Sequence, residues 1–269
     1  MNLVVCADDF GLNQFVDQGI MALVAGGRVT AASCLVDGPT AEANARRLAA
    51  LDADIGLHLN FTEPLPGARL AIPLWRLTAL AYSRRLDESA IAIEIRRQLD
   101  RFEELFGAAP HYVDGHQHVH QLPEIRDALL EELMRRYPAP LPWLRATTGP
   151  RGSMVPFALK ATVIELLGAR ALAARARRSG FAMNTNLLGV YDFRGTASRY
   201  GQWLDQWASL AKDGSLLMCH PATGGAASDD VIGYQRVIEY EVLAGPEFLS
   251  KLERHKLKPR RMSRYLPCK

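Results

Sequence analysis

The stretch LVVCADDFGLN, residues 3–13, contains the pattern that organises the whole chain. Residues 3–7 are apolar and partly β-branched, and they read as a buried strand. Asp8 and Asp9 stand at its tip, and Asn13 is placed to cap a helix running to Ala25. The same sequence of strand, polar tip and helix returns along the chain. Residues 29–36, 55–59, 111–113, 143–146, 181–185 and 216–219 read as further strands. Helical patterns cover 40–51, 88–106, 123–137, 157–178 and 198–212, and a last helix at 246–255 precedes a weak eighth strand at 261–265. Strand followed by helix, seven or eight times over, predicts an α/β fold. The expected form is a (β/α) barrel of seven or eight parallel strands, irregular or incompletely closed, with an open doubly wound sheet as the alternative. No compositional break or repeat divides residues 1–269, so one domain is expected.

Composition narrows the function. A chain of 269 residues that is 48% hydrophobic can build a sizeable core. Its net charge of +3 gives no electrostatic case for nucleic acid. The apolar run at the N-terminus meets two carboxylates too soon for a signal peptide. No stretch approaches the roughly 18 apolar residues of a membrane span. Cys6, Cys34, Cys219 and Cys268 show neither CxxC spacing nor a framework pattern, which suits reduced thiols in a cytoplasm.

Polar residues gather at the predicted strand ends. Asp8 and Asp9 follow the first strand, His58 and Asn60 the third, Asp114 and His116 the fourth, Arg145 and Thr147 the fifth, and His220 the seventh. In a parallel barrel these ends open on one face, where active sites are built. The stretch DGHQHVH, residues 114–120, holds three of the seven histidines. If it is extended, alternate residues lie about 6.6 Å apart, against metal–ligand bonds of about 2.1 Å. One ion could then take one or two of these imidazoles, and Asp9 and His58 are the natural candidates for the rest. Two imidazoles and a carboxylate leave positions open for water, as a hydrolytic site requires. No GxSxG, GxGxxG or GxxxxGK[ST] motif points to other chemistry. On an extended chain Asp8 and Asp9 point to opposite sides, unlike the facing carboxyls of a glycosidase. Arg145 and Asn184 are candidate substrate contacts. Arg236, Glu239 and Glu241 read first as ordinary helix-surface charges.

ADDFGLN at 7–13, Gly19 and Ile20, GLHLN at 56–60, DGHQHVH at 114–120 and MCHP at 218–221 together resemble the YdjC-like carbohydrate deacetylases along nearly the whole chain. That resemblance implies a (β/α)-barrel-type fold and removal of acetyl groups from N-acetylated sugars with one divalent metal ion, Mg²⁺ or Zn²⁺ foremost. It implies that Asp9, His58 and His116 hold the metal, that Asp8 is the general base and that His220 is the general acid. Asn60, His118, His120 and Arg145 would then contact substrate or support the ligands. Residues 147–190 are most similar to the hopanoid-biosynthesis-associated branch, whose implied substrate is an N-acetylglucosaminyl lipid. The competing readings are a metal hydrolase of another amide or an ester, and a binding protein with a closed structural metal site. The apolar segment 70–82 is open between a lid and an oligomer contact. The Arg-rich segment 170–178 reads as a solvated helix face, with membrane contact as its alternative.

Overall fold

The computed structural model describes residues 1–151, 155–225 and 230–265, so Cys268 lies outside them. Seven parallel strands form the sheet: β1 (Asn2–Phe10), β2 (Ala31–Cys34), β3 (Asp54–Leu59), β4 (Tyr112–Gly115), β5 (Trp143–Leu144), β6 (Leu187–Leu188) and β7 (Ser215–Cys219). Their order across the sheet is β5-β4-β3-β2-β1-β7-β6. Helices α1 (Gln14–Ala25), α2 (Ala41–Ala49), α3 (Leu74–Tyr82), α4 (Glu88–Phe106) and α5 (Ile125–Arg136) join the first five strands. The chain then runs through α6 (Ala158–Ile164), α7 (Arg170–Arg178), α8 (Ala197–Leu210), α9 (Gly233–Ala244) and α10 (Glu247–Arg254).

Local chemistry accounts for the best-defined elements. Asn13 accepts hydrogen bonds from the N–H groups of Phe15 and Val16, which caps α1. Asp87 caps α4 through Ala90 N–H, and Gly107 at φ 68° ends that helix in the left-handed conformation glycine tolerates best. The expected helix over 157–178 is broken instead. A π turn over Glu165–Ala169, with Gly168 at φ 122°, separates α6 from α7.

The expected incompletely closed barrel is what forms. Its edges, β5 and β6, meet irregularly: Leu187 N–H donates to Thr148 O and Leu144 N–H to Ala182 O. The Asn184 side chain completes the seam by accepting from Ala146 N–H at 2.7 Å and donating to Ala146 O at 3.0 Å. Asn184 is thus a closure residue, not the substrate contact its position suggested. Residues 181–185 contribute a single bridge at Met183, and the strand itself falls later, at β6. The eighth strand is also displaced. It is the short β8 (Lys258–Pro259), paired with the start of β1, while Met262–Arg264 form a 3₁₀ turn.

Alternation along the strands separates two apolar layers. Leu3, Val5 and Ala7 join the large core that also holds the helices' apolar faces. Val4 and Cys6 face the inside of the curl with Ala31, Tyr112, Trp143, Leu216 and Met218. Continuing the inner phase to the strand tips gives Asp8, Ser33, His58, Asp114, Arg145 and His220. Strand periodicity therefore brings these six side chains to the open end.

Candidate metal centre and active site

Asp8 and Asp9 both line one cavity of about 590 Å³ at the barrel mouth, together with His58, His116, His118 and His220. Adjacent residues on a regular strand could not both do so. Asp9 adopts φ 71°, and the β1–β2 register shifts between Ala7 and Phe10. This bulge turns the second carboxylate back into the mouth, which corrects the expectation that the two point apart.

Asp9, His58 and His116 bring one potential ligand atom each within 4.8 Å of one another. Asp9 Oδ1 lies 3.4 Å from His58 Nε2 and 3.1 Å from His116 Nδ1. A carboxylate can only accept, so each ring nitrogen that meets one presents its N–H. Asp114 Oδ1 accepts from His58 Nδ1–H at 2.7 Å, which directs Nε2 toward Asp9. His116 turns Nδ1 toward Asp9, and its Nε2 lies 3.7 Å from Glu63, beyond hydrogen-bond reach.

The stretch 114–120 is not extended past its start. Gly115 ends β4, and His116–Gln121 form a 3₁₀ turn with Gln117 at φ 52° and His118 at φ 62°. The three histidines therefore do not share a strand face. His116 enters the cluster, and His118 lines the cavity. His120 is fully buried, with its Nε2 at Arg145 O, 3.0 Å away. Burial lowers both His118 and His120, the latter to about 4, so both stay neutral.

Asp8 faces a different partner. Arg145, itself fully buried, grips it with Nη1 to Oδ2 at 2.7 Å and Nη2 to Oδ1 at 2.6 Å. The same guanidinium reaches Asp114 Oδ2 at 2.5 Å, while Ser33 Oγ donates to Asp114 Oδ2 at 2.7 Å. Burial alone would raise Asp8, but the Arg145 charge holds it well below the usual carboxylate range. Arg145 thus lies inside the curl beneath the cavity and is not among the residues that line it. Asn60 is likewise buried. Its Oδ1 accepts from Thr62 and Glu63 N–H and shapes the turn that carries Glu63, so its side chain is no substrate contact.

Helix α9 supplies residues that sequence reasoning placed on a surface. Arg236 is buried and donates to Asp9 Oδ2 and to Asp230 Oδ2, each at 2.7 Å. Glu239 is fully buried, accepts from His220 N–H at 2.6 Å and binds the Tyr191 hydroxyl. Burial raises Glu239 to about 7 against the pull of those donors. Glu241 is exposed, as expected of a helix-surface charge. His220 places Nε2 3.8 Å from Asp8 Oδ2 and packs edge-on against Phe193. Burial pushes it down to about 4, so its resting form is neutral.

Charge counting tests whether a cation suits the cluster. Asp8, Asp9 and Asp114 are buried carboxylates, and Arg145 and Arg236 are the buried guanidiniums facing them. With neutral imidazoles the set carries an excess negative charge. Burial would lower His58, yet Asp114, Asp9 and Asp8 draw it up to about 10, the mark of a field that seeks positive charge. Oxygen and nitrogen donors with backing carboxylates suit a divalent ion. The residues fit one.

Comparison with known proteins agrees with this architecture. Residues 2–254 match the YdjC-like protein family. A carbohydrate deacetylase of Mus musculus is 37% identical over 49% of this chain and 47% of its own, so the chain spans about half the length of that relative. A carbohydrate deacetylase of Homo sapiens is 31% identical over 95% of this chain and 74% of its own. Among solved structures, an Enterococcus faecalis protein described as a cellobiose-phosphate cleavage protein superposes with TM-score 0.64 at 21% identity, covering 97% of both chains. A match over almost its entire length, and a human relative sharing nearly a third of its residues, lead to one conclusion: this chain belongs to the YdjC-like protein family.

Proposed function

We propose that the protein is a metal-dependent hydrolase that removes the acetyl group from an N-acetylated amino sugar or glycoconjugate. The observation that carries this reading is the convergence of Asp9, His58 and His116 beside a separate, clamped carboxylate, Asp8. A closed structural metal site has no use for that extra acid. Family membership and the names of the human and mouse relatives support the acetylated sugar as substrate.

Asp9, His58 and His116 would hold the ion, Zn²⁺ or Mg²⁺ by its donors, which when bound acidifies water and polarises the acetamide carbonyl. Asp8 serves as the base. Because Arg145 keeps it weakly basic, it takes a proton only from a water already made acidic. Arg145 also fixes the direction in which Asp8 points. His220 starts neutral and accepts that proton across the 3.8 Å gap to Asp8. It then hands the proton to the departing nitrogen, which leaves badly without one. The products are acetate and a free amino sugar. His118 borders the cavity and contacts the sugar. The finer substrate reading is an N-acetylglucosaminyl hopanoid lipid, supported by the resemblance across 147–190 and by the apolar wall of Leu74, Ile164 and Val190. Unpaired Cys6, Cys34 and Cys219 support a cytoplasmic location.

Metal analysis of the purified protein, with acetate release measured on N-acetylglucosamine oligomers and on simple esters, tests the reading. Release from the oligomers that depends on a bound metal is expected. Metal-independent turnover, or ester cleavage alone, overturns it.

A further inference from the structure

The cavity mouth has an unusual lip. Trp75 on α3, and Leu159 and Leu166 on α6 and the π turn, are 74%, 80% and 73% exposed. Val163 and Tyr82 beside them are about half exposed. The same two segments give Leu74, Lys160 and Ile164 to the cavity wall. They meet where the Tyr82 hydroxyl donates to Leu166 O at 3.2 Å. Clustered apolar exposure of this kind marks a contact surface.

Charge says what kind of surface it contacts. Residues 70–86 hold Arg76, Arg84 and Arg85 and no acid. Residues 155–178 hold Lys160, Arg170, Arg175, Arg177 and Arg178 against Glu165 alone. These two segments exceed the whole chain's net charge of +3, so the remainder is net negative. Glu165 pairs with Arg170, and Asp127 serves both Arg84 and Arg175. Arg76, Arg85, Arg177 and Arg178 have no ion-pair partner among the described residues. A second copy meeting this lip symmetrically would set like charges together. A protein cap would also close the mouth. A negatively charged lipid surface matches both the apolar residues and the bases, with tryptophan at headgroup depth. Among the described residues no helix is long and apolar enough to cross a membrane, so the contact is peripheral.

We propose that the lip formed by α3, α6 and the π turn docks on an anionic lipid bilayer, turning the cavity mouth toward the membrane. This goes beyond the deacetylase reading, and its test needs no turnover. The full-length chain is mixed with vesicles of phosphatidylcholine alone, or with one-third phosphatidylglycerol, and followed by co-sedimentation and tryptophan emission. Trp143, Trp203 and Trp207 are buried, so a blue shift on binding reports Trp75. Anionic vesicles are expected to lower the half-saturating lipid concentration at least about tenfold, with the gain lost in high salt. Trp75→Phe should abolish the blue shift and keep binding. Leu159→Ser with Leu166→Ser should weaken binding, with circular dichroism confirming the fold. Equal or no binding to the two vesicle types overturns the proposal. So does a blue shift that appears without lipid as the mass doubles in light scattering, because a second copy then covers the lip. Acetate release from a soluble oligomer, measured in parallel, keeps failure of docking apart from failure of the enzymatic reading.

Discussion

Asp114 touches both the candidate metal centre and the guanidinium that clamps Asp8, so neutralising it is the most informative single change. One oxygen takes the His58 Nδ1 proton at 2.7 Å, and the other sits 2.5 Å from Arg145 Nη2. In Asp114→Asn the amide oxygen can still accept from His58, so the imidazole keeps its tautomer and direction. The charge behind the ring disappears. Losing such a backing carboxylate costs about 10–100-fold in metal affinity, or about 1.4–2.8 kcal/mol. The fold loses less than it would from an orphaned charge, because Arg145 keeps its two-point grip on Asp8. The new amide nitrogen would face the Arg145 and Ser33 donors that Asp114 Oδ2 now accepts, so the metal-free protein should lose at least about 1–3 kcal/mol for each mismatched donor. Calorimetric titration of Zn²⁺ into the chelator-stripped variant, beside its denaturant melt, separates the two effects. A folded variant with the unaltered Zn²⁺ dissociation constant would refute the claim that Asp114 tunes the ligand through His58.

Four further outcomes are expected. Asp8→Asn should retain the bound metal and lose about 10²–10⁴-fold in turnover; ordinary acetate release by that variant removes Asp8 as the base. Chelation should abolish activity and lower the melting temperature, and metal restored at a hundredfold over its dissociation constant should return about 2.7 kcal/mol; a melting curve indifferent to chelator counts against a resident ion. In the metal-free protein His58 is raised to about 10, so its stabilising contribution is complete below its unfolded value of about 6.5 and lost as pH climbs through 10. Unfolding free energy should accordingly fall across that window, and a flat profile in the stripped protein contradicts the assignment. Gly56→Ala would put a methyl group 2.4 Å from the Tyr112 ring, which stacks on Trp143; a loss of at least about 1–3 kcal/mol is expected, and an unchanged denaturation midpoint rejects that packing.

What the sequence disclosed, and what it hid, divides along physical lines. Elements governed by local rules were readable: α4 lies between the cap at Asp87 and the stop at Gly107, and β1, β3 and β7 are apolar runs with polar tips. The strand expected at 181–185 falls instead at Leu187–Leu188, because closure there depends on Asn184 bonding to a distant backbone. The turn at His116–Gln121 was misjudged because two left-handed non-glycine residues leave no compositional trace. Asp9 and His58 were visible as strand-end chemistry beside the histidines of 114–120, and the choice of His116 came from the family resemblance. Asp114's partnership with His58 and Arg145 was not, although its place two residues before His116 put it on the inner face. Arg236 and Glu239 look like surface charges because helix periodicity alone cannot reveal that a neighbouring strand tip buries them. Arg145 was noticed for the wrong reason. An inward arginine one step below the rim reaches carboxylates before it reaches a ligand.

The left-handed backbone at Asp9 has a practical corollary. A β-carbon held in that region costs about 1–2 kcal/mol relative to glycine, and the molecule carries this burden at a residue of the proposed metal cluster. Glycine there would relax the backbone but leave Arg236, His58 and His116 without the carboxylate they face, a loss of about 3–5 kcal/mol that outweighs the strain removed. Selection of heat-hardy variants by survival alone should therefore keep the aspartate at this position.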